Sequence, residues 1–169
     1  GPQAGIIAGS RELVQKCRKH PLYRAMRPGR MTYIALEQTL RVYLRGEEES
    51  IQTIPSLRRV LESPENLEKR QQALFRDLQA IDHLDCQPLD HDGYAGSGSL
   101  PARPIDSRGV QLSSPLLPVQ DLARQLRTGE PSILPTVQDD KVILDVRTLE
   151  ESELAEICAR VKEIIASAG

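Results

Sequence analysis

The sequence predicts an α/β segment followed by a small α+β domain, and two observations support this fold class. Short apolar runs that end in turn residues alternate with longer stretches whose apolar residues recur at helical spacing. The stretch 132–147 departs from this alternation, because it has the pattern of a β-hairpin turning at Asp139 and Asp140, and it favours a mixed sheet. We place the division near residue 63, which gives segments 1–62 and 63–169.

The first segment begins with the apolar run "AGIIAG", which predicts a buried strand at about 4–8. Ser10 is a good N-cap for a helix that continues to about Lys19, because Pro21 stops it. Thr32 is placed to cap a second helix, "YIALEQTLRVYL", and the acidic "EEES" that follows reads as a solvated loop. Further helices are expected to start at two prolines, Pro55 and Pro64.

The second segment opens with a long helix, "ENLEKRQQALFRDLQAID", which has leucines on one side. Strands are predicted at "LDCQPLD" and "GVQLSS", separated by a loop rich in glycine and proline, and a helix at "VQDLARQLRTG" ends at Gly129. The last helix starts at a capping box of Thr148 and Glu151. Its apolar stripe comprises Leu154, Ile157, Val161, Ile164 and Ile165.

Composition and cysteine spacing narrow the class of protein. The chain has 169 residues, 39% of them hydrophobic and 27% charged, with a net charge of −2. This length suits one domain or the end of a larger one. No apolar run approaches the roughly 20 residues that span a bilayer, so we expect no membrane segment. Cys17, Cys86 and Cys158 are odd in number and far apart, which favours free thiols in the cytoplasm over disulfides or a metal site.

Positive charge is concentrated in "KHPLYRAMRPGRM", residues 19–31, which contains no acid. If "LYRAM" forms a helical turn, Arg24 and Arg27 share a face, and the Pro-Gly pair that follows directs Arg30 elsewhere. Two neighbouring guanidiniums repel each other unless an anion lies between them, and their fork geometry matches a phosphate. From this spacing alone, both a solvated basic surface and an anion site remain open.

Two further motifs also leave alternatives open. The loop "GSGSLP" (Gly96–Pro101) either presents backbone N–H groups to a phosphate or is a flexible connection, and it lacks the Gly-Lys-Ser/Thr of a nucleotide-binding loop. Arg147, at the end of a predicted strand, either caps a surface or receives a carboxylate. The three histidines show no metal-ligand spacing, so no metal site is predicted.

Four motifs occur in a fixed order along the chain: "GPQAGIIAG", "HPLYRAMRPGRMTYIALEQTLRVYL", "GSGSLP" and "DDKVILDVRTL". In this order and spacing they closely resemble the C-terminal part of bacterial selenocysteine synthases, the L-seryl-tRNA(Sec) selenium transferases. The resemblance covers most of the chain and is weakest between about 62 and 95. One departure is Pro135-Thr136, where the family commonly has Gly-Arg.

The resemblance implies a pyridoxal-phosphate enzyme of fold type I, the aspartate aminotransferase-like fold. Segment 1–62 would be the C-terminal end of the large, cofactor-binding domain, and segment 63–169 the small C-terminal α+β domain. In the family, serine on its tRNA forms a Schiff base with pyridoxal phosphate, loses water to give an aminoacrylyl intermediate, and accepts selenium from selenophosphate. The resemblance also implies a cytoplasmic homo-oligomer, a ring of dimers.

The family's cofactor lysine stands in a Ser-Gly-Asp-Lys motif just upstream of a "GGPQAG" turn, and this chain starts at the second glycine of that turn. None of the five lysines present matches the motif. We therefore expect a C-terminal fragment that lacks the Schiff-base lysine, contains no catalytic residue of its own and is inactive alone. Gly1, Pro2 and Gln3 would form the turn next to the cofactor.

The resemblance also assigns roles to basic residues. Arg24 and Arg27 match family arginines that line the active site and hold an anion, selenophosphate or its leaving phosphate. Beside these family roles, we take Arg147 and Lys19 as candidates for contact with a substrate carboxylate or the tRNA. Two alternatives remain. In one, a related pyridoxal-phosphate lyase acts on a small phosphorylated amino acid, whose phosphate the two arginines bind. In the other, the chain is a non-catalytic RNA-binding module.

Overall fold

The computed structural model describes residues 1–95 and 103–169, so the loop motif Gly96–Pro101 lies outside the described residues. The chain forms two compact units: unit 1, Gly1–Arg58, and unit 2, Arg59–Gly169. Their boundary falls a few residues before the predicted division near residue 63. In the described ranges, no helix combines the length and the apolar character needed to cross a membrane.

Unit 1 is helical in the part of the chain that the structure describes. Its helices are α1 (Arg11–Lys19), α2 (Leu22–Ala25), α3 (Arg30–Tyr43) and α4 (Glu47–Thr53), and α5 (Pro55–Val60) begins in it. The predicted cap of the first helix is confirmed, since Ser10 Oγ accepts a hydrogen bond of 3.4 Å from the Leu13 N–H. The predicted helix start at Pro55 is confirmed as well.

The predicted strand at 4–8 is wrong. These residues have no regular structure, and Ile6 and Ile7 are 68% and 65% exposed. A strand needs a neighbouring strand to accept and donate its ladder hydrogen bonds, and all four strands of the described residues belong to unit 2. The apolar run therefore has no sheet to join within unit 1.

Two helix boundaries in unit 1 also differ from the prediction. The acidic stretch "EEES" begins α4 rather than forming a loop, because three glutamates in a first helical turn interact favourably with the helix dipole. The helix assigned to Thr32 starts at Arg30 instead, with Gly29 as its N-cap. The Gly29 carbonyl accepts a hydrogen bond of 3.3 Å from the Tyr33 N–H, so the helical bonding begins before Thr32.

In the residues that the structure describes, unit 2 is a four-stranded sheet with helices, in strand order β1-β2-β4-β3. All three strand pairs are antiparallel, so the predicted mixed sheet is wrong for the described residues. The hairpin turn at Asp139 and Asp140 is confirmed, and both residues have positive φ, 49° and 55°. The elements are α6 (Pro64–Leu78), β1 (Asp85–Tyr94), β2 (Pro104–Ser113), α7 (Val119–Thr128), β3 (Thr136–Gln138), β4 (Lys141–Asp145), a 3-10 turn (Glu151–Glu153) and α8 (Leu154–Ala168).

The core of unit 2 lies between one face of the sheet and its three long helices. In the register of β2 and β4, Val110 lies opposite Leu144 and Leu112 lies opposite Val142, and all four are at most 2% exposed. The predicted stripe of the last helix is confirmed, because all five of its residues are buried. The helices contribute further buried side chains, among them Leu67, Leu74, Leu78, Leu122 and Leu126.

The capping box predicted from Thr148 and Glu151 is wrong. The Thr148 hydroxyl donates instead to the Asp145 carbonyl at 3.0 Å. A capping box is formed two residues later, by Glu150 and Glu153, at the 3-10 turn that precedes α8. The two pairs have the same spacing, and the path of the chain after β4 decides which of them reaches the helix start.

Buried polar groups of α6 are satisfied by the sheet. Gln71 is 5% exposed, and its side-chain NH₂ donates to the carbonyls of Leu89 at 3.0 Å and Gly109 at 2.9 Å. Since an unsatisfied buried amide costs about 1–3 kcal/mol, this pair of bonds fixes α6 against β1 and β2.

Arg70 on α6 joins further parts of unit 2. Its guanidinium pairs with the Glu62 carboxylate and donates to the carbonyls of Val146 at 3.0 Å and Leu149 at 3.1 Å. Burial raises the pKa of Glu62, but hydrogen bonds from Asn66 and Arg70 and the Arg70 charge outweigh this effect. The pKa of Glu62 therefore lies below its ordinary value.

The opposite face of the sheet has a polar centre. Ser107 Oγ donates to Asp145 Oδ1 at 2.7 Å. The His91 imidazole lies over Gly109, where an added Cβ would be 3.3 Å from His91 Nε2 and only 2.8 Å from the Leu144 carbonyl oxygen. A real Cβ does not approach backbone that closely, so position 109 requires glycine.

Replacing this glycine should destabilise unit 2. We expect Gly109→Ala to lower the free energy of unfolding by about 1–3 kcal/mol, because β2 must shift away from β4 to admit the methyl group. Gly93→Ala is the matched control, since its Cβ would find ordinary contacts of 3.5 Å or more. Urea unfolding of both variants checks this, and equal stabilities would contradict it.

The Glu62–Arg70 pair predicts a pH-dependent loss of stability. The pKa of Glu62 is lower in the folded than in the unfolded protein. The contribution of Glu62 to the free energy of unfolding is therefore present at pH values above its ordinary pKa of 4.5, and it is lost as the pH falls through the folded pKa. We expect Glu62→Gln to lower the free energy of unfolding by about 1–3 kcal/mol at pH 7 and by much less near pH 3. Glu68→Gln, on the exposed side of α6, is the control. If Glu62→Gln lowers the free energy of unfolding equally at both pH values, the ionised Glu62–Arg70 pair is not the source of this stability.

Candidate anion-binding site

The strongest concentration of positive charge lies in unit 1, between Arg11 and Arg30. Seven Lys and Arg residues there accompany one acid, Glu12, and this carboxylate is already paired with Lys16 Nζ at 2.7 Å. We define the basic turn as residues 18–30, which run from the end of α1 through α2 to the first residue of α3. Since the basic turn contains no acid, its positive charge is not neutralised from within.

Local hydrogen bonds hold the backbone of the basic turn. The His20 N–H donates to the Cys17 carbonyl at 3.2 Å and ends α1, and the His20 carbonyl accepts from the Tyr23 N–H at 3.0 Å. At the other end of α2, the Met26 N–H donates to the Leu22 carbonyl at 3.1 Å. The predicted helical turn is therefore confirmed, although α2 ends at residue 25.

Three of the four arginines of the basic turn lie beyond α1 and occupy different local structures. Arg24 lies in α2, Arg27 follows the C-cap residue Met26, and Arg30 is the first residue of α3. All three are exposed, and within the described residues none of their guanidiniums makes a hydrogen bond or an ion pair. Guanidiniums with free N–H donors on an exposed, acid-free turn are suited to binding an oxyanion.

Other residues assigned from the sequence also lie in unit 1. Lys19 is the last residue of α1 and is exposed. Gly1 lies against α3, because an added Cβ there would be 2.8 Å from Thr39 Oγ1. The segment Gly1–Gln3, which has no regular structure, therefore begins beside the middle of α3. Its predicted place next to a cofactor stays a prediction.

Arg147 uses its guanidinium inside unit 2. It donates to the carbonyls of Arg59 at 2.7 Å and Val60 at 3.4 Å, and also to the Asp106 carbonyl. The backbone N–H of Arg147 donates to Asp145 Oδ1 at 2.9 Å. These bonds tie the end of α5 to β2 and β4. The contact of Arg147 with a substrate carboxylate stays a prediction, and these donors would have to be released to make it.

An open cavity of about 480 Å³ lies in unit 2. The carboxylates of Asp90, Asp92 and Asp106 line it, together with His91 and Arg108. Three carboxylates and one arginine give this cavity a negative potential, which disfavours a phosphate or a similar anion. Of the two regions, the basic turn is the better candidate for binding an anion.

Sequence reasoning missed two histidine contacts. His20 Nδ1 accepts a hydrogen bond of 3.3 Å from the Leu22 N–H, and the proline that follows His20 was a usable signal, because proline favours the first position of a helix. His91 Nε2 lies 3.6 Å from Asp145 Oδ2. The second contact joins strands that are not adjacent in the sheet, so no local pattern could reveal it.

The chain is similar to proteins of one named family. A family model described as L-seryl-tRNA selenium transferase matches residues 1–150. The L-seryl-tRNA(Sec) selenium transferases of Alkaliphilus metalliredigens and Carboxydothermus hydrogenoformans are 35% and 39% identical to the chain, over 97% and 96% of its length. These matches cover 35% and 34% of the two relatives, so the chain spans about a third of their length.

A solved structure of D-glucosaminate-6-phosphate ammonia-lyase is also similar to the chain. It matches with a TM-score of 0.50 and 26% sequence identity. The match covers 87% of this chain and 35% of the lyase chain. The mixture of helices and strands is thus shared with part of a larger enzyme.

The contacts of Arg147 predict a structural effect that can be separated from any ligand binding. We expect Arg147→Ala to lower the free energy of unfolding by about 1–3 kcal/mol, because three backbone carbonyls lose their donor. Arg127→Ala is the matched control, since Arg127 is exposed on α7 and its guanidinium has no partner in the described residues. Urea unfolding without any ligand tests this. If the two variants have equal free energies of unfolding, the hydrogen bonds of Arg147 do not stabilise unit 2 and this prediction is wrong.

Proposed function

Since the chain belongs to the L-seryl-tRNA selenium transferase family, we propose that the whole protein converts L-seryl-tRNA(Sec) to selenocysteinyl-tRNA(Sec), with selenophosphate as the selenium donor. This activity is a proposal for the whole protein, because the chain spans about a third of the relatives that carry this name. To the residues of this chain we assign the binding of the anionic donor.

The observation that carries this assignment is the pair Arg24 and Arg27. Both are exposed on an acid-free turn, and in the described residues their guanidiniums have no internal partner. Two arginines three residues apart with no counter-charge between them would gain free energy when an anion binds to both. Selenophosphate carries its charge on oxygens that the guanidinium fork can bind in pairs.

Donor binding by fixed arginines also fits the chemistry. The donor must be brought to a neutral carbon of the serine-derived group, and charged groups set in place beforehand provide both its orientation and its local concentration. Pyridoxal phosphate, which the family implies, would supply the electron withdrawal that lets the seryl hydroxyl leave. The arginines act on the donor and not on this earlier loss of water.

The lysines of this chain do not fit the role of the cofactor lysine. Lys16 is in an exposed ion pair, and Lys141 Nζ is 2.7 Å from Ser113 Oγ. The other three, Lys19, Lys69 and Lys162, are exposed. A lysine that binds pyridoxal phosphate is normally held in an enclosed site, where its pKa can be lowered. We therefore expect the cofactor lysine outside these 169 residues, and the fold type I assignment rests on the family.

The proposal extends to the tRNA, the oligomer and the compartment of the protein. We propose that Lys19 and its neighbour Arg18, which are both exposed, contact the phosphates of seryl-tRNA(Sec). A homo-oligomer, a ring of dimers, would cover apolar surface of α3, where Tyr33, Ile34 and Leu40 are 48%, 47% and 45% exposed. We place the protein in the cytoplasm, in keeping with its three free cysteines.

One alternative is favoured by a specific observation. The structural similarity to a D-glucosaminate-6-phosphate ammonia-lyase suggests a lyase that acts on a small phosphorylated amino acid. Arg24 and Arg27 would then bind the substrate phosphate. The sequence identity of 26% to this lyase is lower than the 35% and 39% to the selenium transferases, so we prefer the transferase.

The proposal predicts which step the arginines affect. In the full-length enzyme, Arg24→Ala and Arg27→Ala should each reduce selenium transfer about ten- to a hundredfold, because each removes a charge-assisted hydrogen bond to the donor. Loss of water from the seryl group should change much less, since the donor is not yet needed. Single-turnover measurements with L-seryl-tRNA(Sec), with and without selenophosphate, separate the two steps.

Arg30→Ala is the matched control for this experiment. It removes the same charge, but from the start of α3, beyond the Pro-Gly pair. If it impairs transfer as much as the other two substitutions, the general positive potential matters and the paired-arginine site is wrong. Turnover of a phosphorylated amino acid that depends on Arg24 and Arg27, without transfer to tRNA, would favour the lyase.

A further inference from the structure

We infer that His20 is a positioning residue for the anion site, because its imidazole caps the short helix that carries Arg24. The inference rests on the proposed binding of selenophosphate by Arg24. His20 acts through the backbone of α2 and is not assigned a contact with the donor.

The backbone at His20 has the geometry of a helix N-cap. Its φ and ψ are −70° and 136°, in the extended region, whereas the next residue, Pro21, is helical at −55° and −37°. The His20 carbonyl accepts the first bond of the turn, from the Tyr23 N–H at 3.0 Å. Pro21 stands one residue before the start of α2 at Leu22, but its φ and ψ are already helical, so it occupies the first helical position, where its missing N–H leaves no bond unmade.

The His20 side chain completes the cap. The Leu22 N–H belongs to the second helical position, where no carbonyl of the helix can reach it, and it donates to His20 Nδ1 at 3.3 Å. An imidazole nitrogen accepts a hydrogen bond only when it carries no proton, so the neutral ring has its hydrogen on Nε2. Capping of this kind is usual for Ser, Thr, Asp and Asn, and here a histidine performs it.

This cap matters because little else holds α2 in place. The helix has four residues, none of them buried, so neither its length nor packing against a core stabilises it. Arg24 is fixed to the turn by one bond from its N–H to the Pro21 carbonyl at 3.3 Å. If the cap is lost, the turn opens more often, and Arg24 spends less time in the position that binds the donor.

Such a loss changes the donor affinity and not the later chemistry. When only a fraction of molecules has the binding conformation, the apparent dissociation constant rises in inverse proportion to that fraction. The expected signature is a higher KM for selenophosphate with kcat nearly unchanged. A residue that only supported the global fold would lower the amount of active enzyme, which reduces kcat and leaves KM the same.

The test uses the full-length enzyme with His20→Ala and His20→Asn. Alanine cannot accept the Leu22 N–H, so hydrogen exchange of the Leu22 amide and the KM for selenophosphate should both rise about three- to thirtyfold. Asparagine is among the best N-cap acceptors and should restore both values to within about threefold of the wild type. The kcat at saturating donor should change less than about threefold in either variant.

Ser10→Ala is the matched control, because it removes a side-chain cap from the neighbouring helix α1. Ser10→Ala should leave the KM for selenophosphate unchanged. If it raises this KM as much as His20→Ala does, loss of any helix cap in unit 1 has the same effect, and the inference is overturned. The inference about His20 is also overturned if His20→Ala speeds exchange of the Leu22 amide but leaves the KM for selenophosphate unchanged. In that case the proposed function stays intact as long as Arg24→Ala raises the KM. If Arg24→Ala leaves the KM unchanged, the proposed function fails and the inference fails with it.

Discussion

The packing of three helices on one face of the antiparallel sheet is the interaction on which the rest of unit 2 depends. Val110, Leu112, Val142 and Leu144 form a continuous apolar surface across β2 and β4, and burying each such side chain contributes about 1.5–3 kcal/mol. Because this face is dry, polar groups are tolerated beside it only with partners in place. The bonds of Gln71 to two strand carbonyls meet that requirement, and they hold α6 in register with the sheet.

Unit 1 is organised by a different balance of forces. Few of its side chains are buried in the described residues, and short-range backbone bonds and caps define its helices. Such a segment is weakly stabilised on its own. Binding of an anion to the acid-free basic turn would order it, so the same residues would serve recognition and local stability. The selenium donor that we propose for the whole protein has the charge and the oxygen geometry for that role.

Local physical chemistry determined much of the fold and one part of the candidate site. Ser10 caps α1, helices start at Pro55 and Pro64, and the chain turns at Asp139 and Asp140, because each feature depends only on residues within one turn of it. The buried stripe of α8 follows from helical spacing in the same way. The clustering of Arg24 and Arg27 without an acid is also written in the sequence, as is the resemblance that identifies the family.

The tertiary structure alone decided features whose partners are distant in sequence. The apolar run at 4–8 forms no strand, because strand formation depends on a neighbouring strand that local pattern cannot supply. Three further features depend on how the chain returns to the sheet. They are the antiparallel direction of the strand pairs, the capping box at Glu150 rather than Thr148, and the hydrogen bonds of Arg147 to three backbone carbonyls. Sequence fixes which groups can bond over short distances, and packing decides which distant groups meet, because burial in a dense core admits few arrangements.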